Sequence, residues 1–368
     1  MNANALTAQR RMARMGMGMG LRSGRVAQPH TGGARHFASA PMVVFNKRQK
    51  LAQREMSVRL ERARRKEGGE DSSFEYLREE VAQRVVDRLL DVTGHTFDRA
   101  VDWGCWGGHV YRALAASGNR VGIKEFAHYD VSHGMLKWAE ESNAILENHN
   151  DGNLAKATYH LCEDEETMAL EENSVDLFLS SMTFHWLNDL PGALTQAQKS
   201  LRPDGLFIMS MLGGETLKEL RSAFVVAEQE LDGGVSNHVS PMAHVADIGM
   251  LIQRAGFAIP TIDTDILTVE YPDPHALMRH LQGMGEGNAN LKRRAYVPRA
   301  TIDAAAEKYV EMFGNSDGSI PATFQVIYAT GWKPAESQRK PLPRGSAKRS
   351  LRDEVSKYRS TTITEDDP

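Results

Sequence analysis

The sequence predicts a doubly wound α/β domain, an open and mostly parallel sheet covered by helices on both faces. Three observations carry that prediction. Short β-like runs alternate with helical ones from Arg99 to Met211, the pattern of strands joined by helical crossovers. The first run leads into the glycine-rich loop VDWGCWGGH, at the carboxyl end of a strand, where open α/β sheets receive their ligands. Finally, 368 residues with 41% hydrophobic content supply enough apolar surface for a large core.

The elements follow in order. Residues 1–40 combine Arg, Ser, Ala and Gly without a long apolar centre, the composition of an organelle-targeting presequence. Within them Arg35-His36-Phe37-Ala38-Ser39 resembles a matrix-peptidase site cut after Phe37. Residues 41–70 read as a charged, helix-prone connector with too few apolar residues for the core, hence a surface segment. The main domain is expected over 71–332. Asp71-Ser72-Ser73 can cap a helix in which Phe74, Leu77, Val81, Val85 and Leu89 recur every three or four positions. Strands are expected at Arg99–Asp102, Phe126–Asp130, Val175–Ser180 and Leu206–Met211, with helices over Val110–Ala116, Met135–Leu146 and Ala193–Leu201. Glu215–Leu231 and Ala243–Gly256 are helical, the second stopping on its glycine. Ile259–Tyr271 and Ala322–Trp332 alternate as strands, separated by helical material around Leu277–Leu281 and Ile302–Met312. They can pair as antiparallel strands at one edge of the sheet. Residues 333–368 have little to bury and read as a disordered or partner-bound tail.

Charge divides the chain. The first 54 residues carry ten Lys or Arg and no acid, and residues 333–368 carry nine bases against six acids. Of the net −4, these ends contribute +10 and +3, which leaves −17 for residues 55–332. An acidic body argues against nucleic acid or an anionic membrane as the main partner. No apolar run approaches the roughly 18 residues needed to span a bilayer, so a soluble or peripheral protein is expected. Cys105 and Cys162 offer neither a disulfide framework nor a CxxC metal pair, which suits a reducing compartment.

The candidate ligand site gathers at the strand ends. Asp102, Gly104, Gly107 and Gly108 lie where a nucleotide-like cofactor approaches backbone, because a side chain there would block it and the following helix offers free N–H groups. Asp130 ends the second strand and can accept both hydroxyls of an adenosine ribose; it can equally cap the helix of DVSHGML. Asp164, in Cys162-Glu163-Asp164-Glu165, can hold an adenine amine or belong to a solvated acidic turn. His185, Trp186 and Asn188 follow the fourth strand and are the candidate substrate-facing, catalytic residues, core lining being the alternative for Trp186.

These motifs carry a resemblance. VDWGCWGGH, YDVSHGML, EDEETMALEENSVDLFLSSMTFHW and the Arg202-Pro203-Asp204-Gly205 turn are similar in order to the class I, S-adenosylmethionine-dependent methyltransferases. That resemblance implies a Rossmann-like, seven-stranded sheet with an antiparallel edge strand, and S-adenosylmethionine as cofactor. FEYLREEVAQRVVDRL, MLGGETLKELRSAF, GGVSNHVSPM, LQGMGEGNA and DGSIPATFQVIYATGWKPAESQ resemble, more closely, the mitochondrial respiratory complex I assembly factor 5 family, over roughly residues 42–347. This implies hydroxylation of an arginine in a matrix-arm iron–sulfur subunit of the 20 kDa PSST type, early in assembly. The implied partners are that subunit and other assembly factors, in the mitochondrial matrix with peripheral contact to the inner membrane. Two other readings stay open: a true methyltransferase, since the central motifs are also similar to the malonyl-carrier-protein methyltransferase of biotin synthesis, and a non-catalytic assembly chaperone.

Hydroxylation needs an oxygen-activating system, because arginine side-chain carbons are not nucleophiles. His128-Tyr129-Asp130 has the His-x-Asp spacing of an iron site, but Asp130 already has the ribose role. Trp106 is the departure from the family's loop, standing where a glycine is usual. Either the chain turns one residue later on Gly107 and Gly108, so that Trp106 swings outward, or the indole fills the cofactor's space. The paired glycines favour the outward turn.

Overall fold

A computed structural model of the protein describes residues 43–66, 73–147, 154–338, 343–346, 350 and 352. The presequence, Asp71 and Ser72 of the expected helix cap, and most of the tail lie outside the described residues.

The chain runs through α1 (Lys47–Lys66), α2 (Tyr76–Leu90), β1 (Arg99–Trp103), α3 (His109–Ala116), β2 (Glu125–Asp130), α4 (His133–Glu147), β3 (Lys156–Leu161) and β4 (Val175–Ser181). After a short 3-10 turn at Phe184–Trp186 come α5 (Leu190–Ser200), β5 (Leu201–Leu212), α6 (Lys218–Asp232) and α7 (Val245–Arg254). β6 (Ala258–Tyr271), α8 (Pro274–Gly283), α9 (Arg299–Phe313) and β7 (Ile320–Trp332) complete it. The strands form one seven-stranded sheet in the order β3-β2-β1-β4-β5-β7-β6. β1 to β5 are parallel, while β7 runs antiparallel to both neighbours. Strand order reverses between β1 and β4, which opens a crevice at their carboxyl ends.

Alternation along the strands builds a core on each face. On β4, Leu177 and Leu179 turn to Val81, Val85 and Leu89 of α2. Phe178, between them, turns to Ala193 and Leu194 of α5 and to Ile248 and Ile252 of α7. Ser73 accepts the Glu75 N–H at 3.1 Å just before α2. Asp189 caps α5 through the Gly192 N–H at 2.9 Å, so that helix starts at Leu190 rather than at the expected Ala193. The last two strands pair as expected, and burial sets their order. β7 is buried almost throughout and takes an interior place, whereas β6 is half exposed and forms the edge. The reversed strand therefore lies one place in from the edge.

The connector forms a helix, as its composition predicts, but it is not a surface segment. One stripe of α1, made of Lys50, Arg54, Ser57, Val58 and Glu61, is buried. Its Lys50 and Arg54 are drawn down by the buried carboxylates of Glu286, Asp130 and Glu165, described below.

Leu177 is fully buried at the centre of the sheet. Leu177→Ala should lower the unfolding free energy in urea by about 2–5 kcal/mol. Ile266→Ala, on an exposed face of edge strand β6, should change it by no more than about 0.5 kcal/mol.

Candidate functional site

The glycine loop after β1 is fastened to the neighbouring strand, with the N–H groups of Gly104 and Cys105 donating to the Tyr129 carbonyl at 2.8 and 2.9 Å. Gly104 sits at φ +70° directly over the Thr183 side chain, with which any Cβ would collide, and Gly108 at φ +77° opens α3. Trp106 itself adopts φ +50°. The expected outward turn is therefore corrected. The indole points inward and is 1% exposed. Its Nε1 donates to Thr183 Oγ1 at 2.9 Å, and its backbone N–H donates to Asp130 at 3.0 Å. The Arg78 guanidinium lies 3.3 Å from the ring centre. These contacts offset a left-handed backbone that costs a non-glycine residue about 1–2 kcal/mol.

α1 closes the crevice from above. Arg54 is completely buried, with Nη1 2.9 Å from Asp130 and 2.5 Å from Glu165, and its guanidinium 4.3 Å from the Trp106 ring centre. One turn earlier, Lys50 donates to the Gly285 carbonyl at 2.6 Å and stands 3.2 Å over the Trp186 ring. Glu286 is the counterweight. Its carboxylate accepts from Arg78, and from Trp186 Nε1 at 3.0 Å, and lies 3.2 Å from His185 Nε2. Gly285, at φ +73°, brings this segment against the indole of Trp106.

Three buried cations, Lys50, Arg54 and Arg78, thus face three buried carboxylates, Asp130, Glu165 and Glu286. Burial lowers Lys50 well below its usual range and Arg78 to about 10. Burial also pushes the Glu165 carboxyl up to about 7 against the pull of Arg54. For Glu286 the attraction of Lys50, Arg78 and His185 outweighs burial and holds the carboxyl well below its ordinary value.

The structure redistributes the residues singled out from sequence. Trp186 and His185 do come together, on Glu286. Asp130 is in the crevice but bonded to Arg54 and to the Trp106 N–H. Asn188 is corrected: its Oδ1 accepts the N–H groups of Val44 and Phe45 at 2.7 and 2.8 Å, so it tethers the strap leading into α1. Asp102 lies within the sheet, 3.4 Å from His128 Nδ1, with burial raising its carboxyl. Asp164 is half-buried and paired with Lys47 at 2.8 Å, and its neighbour Glu165 is the acid that reaches inside. Gly107 faces Trp138 and Glu75 rather than an open cradle. His128 and Asp130 share a face of β2 yet diverge, one to Asp102 and the other to Arg54. Among the described residues no three His, Cys, Asp or Glu gather in a metal-holding group. Beside the closed centre a cleft of about 170 Å³ remains, lined by Leu51, Val131, Asp164, Trp186 and Leu187.

Arg54, Lys50, Arg78 and Glu286 escaped the sequence reading. The signal for α1 was present in its polar stripe at positions 50, 54, 57 and 61, spaced three and four apart.

Two stability predictions follow from these buried charges. Glu286→Gln leaves Arg78 and Lys50 buried without their counter-charge and should cost about 3–5 kcal/mol in denaturant unfolding. His109, buried 3.1 Å from Glu75, is lowered by burial to about 4. The unfolded chain, with a histidine near 6.5, therefore binds the proton first. This residue's contribution stands in full above about pH 6.5, declines as pH falls, and is lost below about pH 4. Relative to His109→Gln, the wild-type unfolding free energy should drop by about 3 kcal/mol between pH 7 and pH 4.

The methyltransferase-domain family Methyltransf_11 matches residues 101–209. The chain is 44% identical over 284 residues to "Arginine-hydroxylase NDUFAF5, mitochondrial" of Danio rerio, covering 77% of this chain and 83% of that protein. It is 44% identical over 278 residues to the Homo sapiens protein of the same name, covering 76% of each. A "Malonyl-[acyl-carrier protein] O-methyltransferase" of Methylovorus sp. is 34% identical over 261 residues, covering 70% of this chain and 82% of its own. With a class I methyltransferase fold and this degree of identity over most of its length, the chain belongs to the arginine-hydroxylase NDUFAF5 family.

Proposed function

We propose that the protein hydroxylates an arginine of a matrix-arm iron–sulfur subunit of complex I, of the 20 kDa PSST type, early in assembly and together with other assembly factors. The observation that carries this reading is Glu286. It lies beyond the methyltransferase-domain match at 101–209, in the LQGMGEGNA segment, and it enters the crevice to bind a guanidinium, that of Arg78, beside two indoles. Carboxylates and indole faces are the groups that recognise arginine, through charge-assisted hydrogen bonds and stacking. The acidic body suits a basic protein segment. The name of the relatives supports a mitochondrial location, and the presequence-like composition of residues 1–40 suits the matrix; among the described residues no helix is long and apolar enough to cross a membrane.

His185 and Trp186 are assigned to the substrate side of the crevice, held in place by Glu286. Hydroxylation replaces an arginine C–H by C–OH and draws on an oxygen-activating group. S-adenosylmethionine is the cofactor implied by the fold, and its cradle would comprise Gly104, Gly108, Asp130 and Asp164. With α1 docked these residues do not fit it, because Asp130 is bonded to Arg54 and the Trp106 indole fills the loop's concavity. The cleft beside Val131, Asp164 and Leu187 stays open. The 34% identity to a malonyl-carrier-protein methyltransferase favours a second reading, methyl transfer.

Disrupting the gene in its native cells and weighing peptides of the iron–sulfur subunit tests the hydroxylase reading. The expected result is an arginine lighter by one oxygen, together with reduced complex I assembly. An unchanged arginine with intact complex I contradicts the hydroxylase. Lost assembly without chemical change on any subunit supports a chaperone instead.

A further inference from the structure

We propose that the groove beneath α1 is the substrate-arginine site and that Arg54 fills it as a built-in pseudosubstrate, so that an arginine-bearing basic segment of the partner protein binds by displacing α1. The inference rests on the arginine-hydroxylase reading and gives it a location.

The cradle around Arg54 has the chemistry of a guanidinium receptor. Two carboxylates, Asp130 and Glu165, converge on one guanidinium nitrogen, and the Trp106 ring lies 4.3 Å from the guanidinium carbon. A neutral ribose diol needs one acceptor carboxylate, not two acids and an aromatic wall. The surrounding charge has the same logic. α1 carries nine basic and two acidic side chains in twenty residues. It lies over Asp130, Asp164, Glu165, Glu166 and Glu286, held by Lys47, Lys50 and Arg54. A basic segment already occupies an acidic groove, supplied by the chain itself.

Two features make this occupant displaceable. Its fit is incomplete, since Arg54 Nε and Nη2 are buried with no hydrogen-bond partner, and each such group costs about 1–3 kcal/mol. Its apolar anchorage is also slight. Val58 is the one apolar residue among the buried positions of α1, while Leu51 and Met56 point to solvent. Leaving therefore withdraws little apolar surface of α1 itself, and the indoles and carboxylates that it uncovers are covered again by the incoming arginine-bearing basic segment.

The test uses the full chain and a fluorescent peptide with one central arginine among alanines and serines, together with its lysine counterpart and S-adenosylmethionine. R54Q, shown to be folded by circular dichroism, should bind the arginine peptide at least about tenfold more tightly than the wild type, with no such gain for the lysine peptide. In the unmodified protein, saturating arginine peptide should raise hydrogen exchange across residues 47–66. If R54Q does not fold, this exchange measurement decides alone. Unchanged peptide affinity in a folded R54Q, an equal gain for lysine, unchanged exchange in α1, or a gain confined to S-adenosylmethionine overturns the proposal. Neither readout involves oxidation. Arginine hydroxylated while α1 stays protected would refute the pseudosubstrate and leave the hydroxylase standing; tight arginine binding without hydroxylation would do the reverse.

Discussion

The crevice depends on one constraint, that carboxylates buried at the ends of parallel strands must be given cations. Asp130 ends β2 and Glu165 lies on the loop after the neighbouring β3, and the two would repel each other in a water-poor setting. Arg54 lies against both, at 2.9 and 2.5 Å. That requirement explains why a helix with hardly any apolar face is nevertheless part of the folded body, and why its charges point in while Leu51 and Met56 point out. The burial of ion pairs contributes little net stability compared with apolar packing. Its effect is specificity: α1 can dock in one register, the one that places Lys47, Lys50 and Arg54 on their acids.

Trp106 belongs to the same arrangement. A glycine in its place would leave a concavity in the loop; the indole fills it and provides a wall for Arg54 and Arg78. Its backbone N–H and the Arg54 guanidinium take the two oxygens of one carboxylate, Asp130. The residue that departs from the usual loop and the helix that closes the crevice thus act on the same atoms. Within a class I methyltransferase fold, these residues line the crevice with acids and indoles.

The strands and helices were legible because their signals are local. Apolar runs such as Val175–Ser181 and the three-and-four spacing of Leu77, Val81, Val85 and Leu89 report burial directly. Asp130, His185 and Trp186 were legible as crevice residues because strand ends are fixed by topology. The partners of these residues were not. Glu286 lies 101 positions from His185, and Arg54 lies 76 positions from Asp130; no periodicity links them. Asn188 and Asp164 were assigned to substrate and cofactor because they stand at strand ends. The segment that turns them to other work, Val44 to Lys47, reads by composition as surface. Backbone strain alone would turn Trp106 outward; the hydroxyl of Thr183 and the guanidinium of Arg78 hold the indole inside.

A double-mutant cycle between Arg54 and Asp130, using Arg54→Gln, Asp130→Asn and the pair, tests the central claim most directly. The unfolding free energies should reveal a coupling of about 2 kcal/mol or more, as expected for buried groups in one network. A coupling below about 0.5 kcal/mol, the level of independent sites, would mean that α1 is not held by this charge and would contradict the account.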